Sequence, residues 1–240
     1  MKKLLLGCLC MLAAAAVSAQ QAPEIPRFSS MKAGTPPRDW KPFALSPTKK
    51  KTEYVIATDD GVTVLRATAH GAASALVFPT DFDPRAFPTL SWRWKVVQGI
   101  PDAHNGETAR EDAPVRLMVS FDGDSSKLSV KDKIASSFAQ SQSGQPLPYA
   151  TVMYIWGGKI AINKVISSPR TARIRMIPLN VDEQGIGAWH SFTRNLVEDY
   201  KMAFGEDPGK VTGIQVLSDT DNTGGDSDAF YGDISVGAAK

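Results

Sequence analysis

The chain has 240 residues, with 27 basic side chains against 25 acidic ones and only two cysteines. Lys2, Lys3, Cys8 and Cys10 all fall in an apolar N-terminal segment that reads as an export signal. The remainder is then electrically balanced and free of thiols, which excludes cysteine nucleophiles, thiolate metal sites and disulfides, and gives no global reason to expect nucleic acid or an anionic membrane as partner.

MKKLLLGCLCMLAAAAVSAQ has a short basic start, an apolar run from Leu4 to Val17 and small residues at its end. This pattern predicts a secretory signal peptide over residues 1–19, cleaved after Ala19, with delivery across the inner membrane to the periplasm. The run is shorter than the roughly 20 residues that span a bilayer, and no later segment approaches that length, so no transmembrane segment is expected. Leu5-Leu6-Gly7-Cys8 has the outline of a lipidation site, but the apolar run continues well past Cys8, which favours ordinary secretion.

Residues 20–50 contain Pro23, Pro26, Pro36, Pro37, Pro42 and Pro47, which disfavour helix and predict an extended arm. Residues 51–240 are expected to form one domain. About ten short runs alternate apolar and polar residues there, among them VTVLRATA, LSWRWKVV, APVRLMVSF, YATVMYIW, GIQVLS and AFYGDISV, with Gly, Pro, Asp and Asn between them. That spacing predicts a mainly β domain, an antiparallel jelly-roll-like sandwich. Two helical inserts are expected, a clear one over residues 194–204, where Leu196, Tyr200 and Phe204 recur every fourth residue before Gly205. The shorter one covers residues 132–139, with Asp132 as N-cap.

Alternation assigns faces. Leu90, Trp92, Trp94 and Val96 share one side, with Arg93 opposite; Val115, Leu117, Val119 and Phe121 share another, with Arg116 opposite. Ala172, Ile174 and Met176 oppose Arg173 and Arg175, while Ile214 and Val216 oppose Gln215 and Asp219. In the last strand, Phe230, Ile234 and Val236 are expected inward, and Tyr231 and Asp233 outward. If these strands share a sheet, its outer face gathers guanidinium forks and carboxylates into a surface suited to a polar or anionic ligand. A solvated face laced with salt bridges is the plainer alternative.

The blocks LSWRWKV, EDAPVRLMVSFDGD, PYATVMYIWG, RNLVEDYKMAFGEDPG, SDTDNTG and AFYGDI, in this order, resemble a bacterial secreted family catalogued as a domain of unknown function (DUF3047-like). That resemblance implies no activity. Phe230-Tyr231-Gly232-Asp233-Ile234 is also similar to the last strand of galactose-binding-like jelly rolls. This second resemblance implies a ligand on a concave sheet face or edge loops, and a structural calcium.

Asp219-Thr220-Asp221-Asn222-Thr223-Gly224 matches the start of a calcium loop, with Asp226 and Asp228 as further oxygens, although Phe230 stands where a bidentate acid would belong. Asp and Asn also favour turns, which explains much of the motif without metal. Two functional readings follow. The first is a non-catalytic binding protein for a polar ligand such as a glycan or another envelope component. It uses Arg93, Asp112, Arg116, Arg173, Arg175, Asp219, Asp221, Asn222, Tyr231 and Asp233. The alternative is a saccharide hydrolase or lyase, drawing on Glu107, Glu111, Asp112, Asp219 and Asp221, with Tyr154 or His104 as proton carrier.

Overall fold

The computed structural model describes residues 21–180 and 185–239. The expected signal peptide lies outside them. In chain order the strands are β1 (Lys41–Ala44), β2 (Glu53–Asp59), β3 (Val62–His70), β4 (Ala73–Phe82), β5 (Thr89–Gln98), β6 (Ala113–Phe121), β7 (Ala150–Trp156), β8 (Ile166–Ser167), β9 (Ile174–Asn180), β10 (His190–Asn195), β11 (Val211–Asp219), β12 (Asp226–Tyr231) and β13 (Ser235–Gly237). Helix α1 (Val130–Ser143) follows β6, and α2 (Leu196–Phe204) follows β10. None of the described helices is long and apolar enough to cross a membrane.

The strands form two sheets, seven-stranded in the order β1-β4-β11-β6-β7-β9-β8 and six-stranded in the order β10-β5-β12-β3-β2, with β13 also pairing β5. Neighbours are antiparallel except β7 and β9, which run parallel. The architecture is therefore a jelly-roll-like β-sandwich with two helical inserts, as the alternation predicts.

Its core fills the space between the sheets. Leu90, Trp92, Trp94 and Val96 of β5 face Val115, Leu117, Val119 and Phe121 of β6, all buried. Trp92 packs on Tyr154 of the opposite sheet at 4.9 Å between ring centroids. Trp94 donates its indole N–H to Asn180 Oδ1 at 2.9 Å, which satisfies the one polar atom it carries inward. Each such large side chain stabilises the fold by roughly 1.5–3 kcal/mol through burial.

Three local expectations change. The proline-rich segment is extended apart from one 3-10 turn at Phe28–Ser30, yet it is not separate from the domain. β1 pairs with β4, and Ile25, Phe28, Met31 and Trp40 are buried, with Trp40 bridging Phe28 and Phe78 at 5.1 and 5.8 Å. Proline blocks helix there without preventing burial, because extended backbone still presents apolar side chains to a sheet edge.

In β12 the parity is reversed. Ala229 and Tyr231 are buried and Phe230 faces outward, whereas Ile234 and Val236 beyond the strand are buried as expected. The pairing ends at Tyr231, and the residues between it and β13 do not preserve the alternation, so Ile234 and Val236 do not report on Phe230.

Helix α2 is as expected. Asn195 Oδ1 accepts from the N–H groups of Val197 and Glu198, Gly205 closes the helix at φ 72°, and Leu196 and Tyr200 are buried. Helix α1 starts earlier than expected, and Ser129, not Asp132, is its N-cap. Asp132 instead accepts from the Ser129 hydroxyl at 2.6 Å and the Thr171 hydroxyl at 2.7 Å, tying the helix to the loop before β9. Val130, Ile134 and Phe138, four residues apart, stand 75%, 65% and 65% exposed, while the buried position of α1 is the polar Asp132.

Candidate functional site

The charged residues expected on one outer surface are divided among several places. On the seven-stranded sheet, Arg116 is 1% exposed. Its Nε donates to Asp219 Oδ1 at 2.9 Å, and its Nη2 to Asp219 Oδ2 at 3.1 Å and to the Glu111 carbonyl at 2.8 Å. Asp219 also accepts from the Ala113 N–H at 3.0 Å. Tyr231 reaches the pair from the opposite sheet: its hydroxyl accepts from the Arg116 N–H at 3.0 Å and donates to the Leu217 carbonyl at 2.8 Å.

Around this pair the SDTDNTG turn is fastened to the loop before β6. Asp112 is fully buried and accepts from the Asn222 N–H at 3.2 Å and from both the N–H and hydroxyl of Thr223 at 2.7 Å. Asn222 Nδ2 donates to the Thr108 carbonyl at 2.5 Å, and Asp221 pairs with Lys49. Arg116, Asp112, Asp219, Asp221, Asn222 and Tyr231 thus form an internal clamp, and the expectation that they line an outer surface is corrected. Arg116 and Asp219 do point away from the core, but the outer side of this sheet is roofed. Met153, Ile155 and Met176 form a second apolar cluster there, and Arg116 Nη1 lies 3.2 Å from the Met153 sulfur.

The clamp crowds like charges. Oxygens of Asp112, Asp219 and Asp221 lie within 4.8 Å of one another, which makes them, among the described residues, a group that could hold a hard cation. Arg116 and Lys49 already stand against two of them. Burial, reinforced by Asp112 and opposed by Arg116, pushes Asp219 up to about 6. Asp226 and Asp228 are elsewhere: they pair with His70 at 2.7 Å and Arg66 at 2.9 and 2.7 Å on the six-stranded sheet, so they are not part of one calcium loop with Asp219 and Asp221.

Arg173 and Arg175 also leave the expected surface. Arg173 stacks on Tyr149 at 4.1 Å and Phe204 at 4.7 Å and pairs with Glu206 at 2.8 Å, joining β9 to the end of α2. Arg175 bonds the Ser167 hydroxyl across the β8–β9 pair. The loop acids considered for acid–base work are engaged too, Glu107 by Arg110 at 2.7 Å and Glu111 by Arg170 at 3.6 Å. Tyr154, fully buried, bonds Asp199 at 2.7 Å.

Arg93 and Asp233 lie apart from all of these, on the outer face of the six-stranded sheet. A cavity of about 440 Å³ there is lined by Ser29, Ser91, Arg93, Ser191, Thr193 and Asp233, among others. Asp233 accepts from the Ser29 N–H at 2.9 Å and its hydroxyl at 2.5 Å. The Arg93 guanidinium lies 4.3 Å over the Trp189 ring. Trp189 in turn stands 6.4 Å from Phe230 and donates its indole N–H to Asp59 at 2.8 Å. Lys95 pairs with Asp59 and lies 5.2 Å from the Phe230 ring. Burial would raise the Asp59 carboxyl, but hydrogen bonds from Lys95 and Trp189 outweigh it and hold it below the usual carboxylate range.

A track of half-buried aromatic rings and fixed charges therefore runs from Phe230 through Trp189 to Arg93 and the cavity. Trp189 and Phe230 are the residues that sequence reasoning missed. Two signals mark them: Trp189 has Gly187 and Ser191 two residues away, and Phe230 has Asp228 and Gly232, so each sits on the polar side of its run. Trp40, Trp92, Trp94 and Trp156 are buried, and Trp189 alone of the five tryptophans is half exposed.

The model of the family described as protein of unknown function, DUF3047, matches residues 38–235. The chain belongs to this family. The DUF3047 match takes in the clamp and the whole aromatic track, leaving only Ser29 of the cavity residues named above outside it. Among curated proteins none matches the chain. Similar solved structures include the xyloglucanase domain of NopAA, a type three effector from Sinorhizobium fredii, at 10% identity and TM-score 0.47, covering 92% of this chain and 100% of that one. The carbohydrate-binding module CBM28, specific for non-crystalline cellulose, is 8% identical at TM-score 0.40, covering 92% and 97%. The K1 adhesin domain of Lys-gingipain from Porphyromonas gingivalis W83 is 11% identical at TM-score 0.36, covering 89% and 96%. At these values none of them assigns a role to a residue of this chain.

Proposed function

We propose that the protein binds a saccharide on the outer face of its six-stranded sheet, along the track from Phe230 and Trp189 to the Arg93 cavity. The observation that carries this reading is the position of Trp189. Leaving an indole partly exposed on a sheet whose other tryptophans are buried forgoes burial free energy, and a flat ring next to fixed charges, joined through Arg93 to a cavity that carries hydroxyls, is an arrangement suited to the apolar face of a sugar ring. The polar residues of the site are held in place before any ligand arrives: Asp59 by Lys95 and Trp189, and Asp233 by Ser29. Preorganisation of this kind lowers the ordering cost of binding. The reading includes export by the N-terminal segment, so the saccharide is one met in the envelope.

A glycan array probed with the purified protein, followed by titration of the best binder, tests it. Trp189→Ala is expected to weaken binding by about thirtyfold or more, the loss of a central aromatic anchor, with the folded state intact by circular dichroism. Unchanged affinity in that variant would remove the proposed site.

A further inference from the structure

We infer that the saccharide of this site is an acidic one, a sugar unit whose carboxylate is taken by Arg93; the inference rests on the saccharide reading above. The neighbouring cations of this face have carboxylate partners: Arg66 has Asp228 and Lys95 has Asp59. Arg93 differs. Among the described residues no group accepts a hydrogen bond from its guanidinium and none forms an ion pair with it, although its charge helps to hold the Asp59 carboxyl down. Asp233 lines the same cavity without forming an ion pair to it, and its carboxylate is turned to Ser29.

The side chain is nevertheless fixed. It crosses Gly232 so closely that a Cβ there would lie 2.6 Å from Arg93 Cγ and 2.7 Å from Nε. Its guanidinium carbon lies 4.3 Å over the Trp189 ring, and the Gly232 N–H donates to the Arg93 carbonyl at 2.9 Å, fastening its backbone. A stacked guanidinium keeps its N–H groups directed outward in its own plane, and two parallel N–H donors match the two oxygens of a carboxylate.

The rest of the cavity suits hydroxyls. Asp233 presents carboxylate oxygens that can accept from a ligand O–H, and Ser91 and Thr193, joined at 3.0 Å, offer hydroxyls that donate or accept. A ligand joining a carboxylate to several hydroxyls on one ring satisfies both ends at once, as a hexuronate unit does. The volume of about 440 Å³ falls in the range of small-molecule sites.

The test is calorimetric titration of the full chain with oligogalacturonate, oligoglucuronate and oligomannuronate, each beside its methyl ester and a sulfated neutral oligosaccharide. At least one free acid is expected to bind tenfold or more tighter than its ester. Arg93→Met should abolish that preference, bringing each acid and its ester to the same affinity, and Arg93→Lys should restore only part of it. If esters bind as well as acids, the inference fails and the saccharide reading stands. Binding of the sulfated neutral chain in preference to every uronate also overturns it, and an absence of binding to any of these chains while neutral glycans bind does the same. If no glycan of any kind binds, both readings fall. The acid-against-ester comparison on the unaltered protein decides the matter even if Arg93→Met does not fold.

Discussion

Arg116 of β6 and Asp219 of β11 share two hydrogen bonds, at 2.9 and 3.1 Å, across a register shift between Leu217 and Asp219, with both side chains enclosed. A buried pair of this kind is costly to break, because the partner left behind keeps its charge without water. Arg116→Met is therefore expected to destabilise the fold by about 3–5 kcal/mol in urea unfolding. Arg93→Met, at a partly exposed position with no ion pair among the described residues, should cost under about 1 kcal/mol. Equal losses from the two variants would mean that the clamp and the outer face are not distinct.

Asp219 also fixes the sign of one pH dependence. It keeps its proton up to about 6 in the folded chain, against about 4 for an ordinary aspartate. Between those values the folded state binds more protons than the unfolded one. The contribution of this group is thus fully present below pH 4 and is lost as pH rises through 6. Asp59, Asp132 and Glu206 are shifted downward; their contributions are present above about 4 and fade as pH falls further. Melting measured for wild type and Asp219→Asn side by side should show the wild type gaining on the variant between pH 7 and pH 4, by on the order of 2 kcal/mol. A constant difference would show that Asp219 titrates normally.

Gly232 leaves the passage that Arg93 uses. Gly232→Ala is expected to displace the Arg93 side chain from Trp189, so saccharide affinity should fall while the melting point moves only a few degrees. Tryptophan fluorescence should shift at the same time, because Trp189 loses its stacked cation. Wild-type affinity in Gly232→Ala would argue against that packing.

Helix α1 gives a null expectation. Ile134 and Phe138 are mostly exposed, so replacing both with Gln should change stability by less than about 0.5 kcal/mol. Tyr200→Ala in α2, fully buried against Phe121 at 4.7 Å, should cost about 3–5 kcal/mol. Urea midpoints of the two proteins separate these outcomes.

Strand alternation made the sandwich and its core legible, and the fourth-residue recurrence of Leu196, Tyr200 and Phe204 did the same for helix α2; Trp92 and Trp94 are interior because their neighbours at two-residue spacing are too. Alternation says which side of a strand a residue occupies, and it says nothing about what covers that side. Arg116 and Asp219 point outward from their sheet, yet Met153 and Met176 of neighbouring strands and the loop before β6 cover them. Parity also fails where pairing stops, as after Tyr231, which is why Phe230 was assigned to the wrong face. The candidate site depended on long-range placement: Asp59, Arg93, Trp189 and Phe230 come from four separate parts of the chain, and only sheet order brings them together. Proline content identified an extended segment but could not show that Phe28 and Trp40 would anchor it in the core.

The central claim, that the outer face of the six-stranded sheet is the ligand site, is tested most directly by following amide and indole N–H signals during titration with a bound glycan. The Trp189 indole and the amides of Arg93, Ser191, Thr193 and Asp233 are expected to shift together and saturate at one ligand concentration. Shifts confined to the loop around Asp112 and Asn222, with the Trp189 indole unmoved, would contradict it.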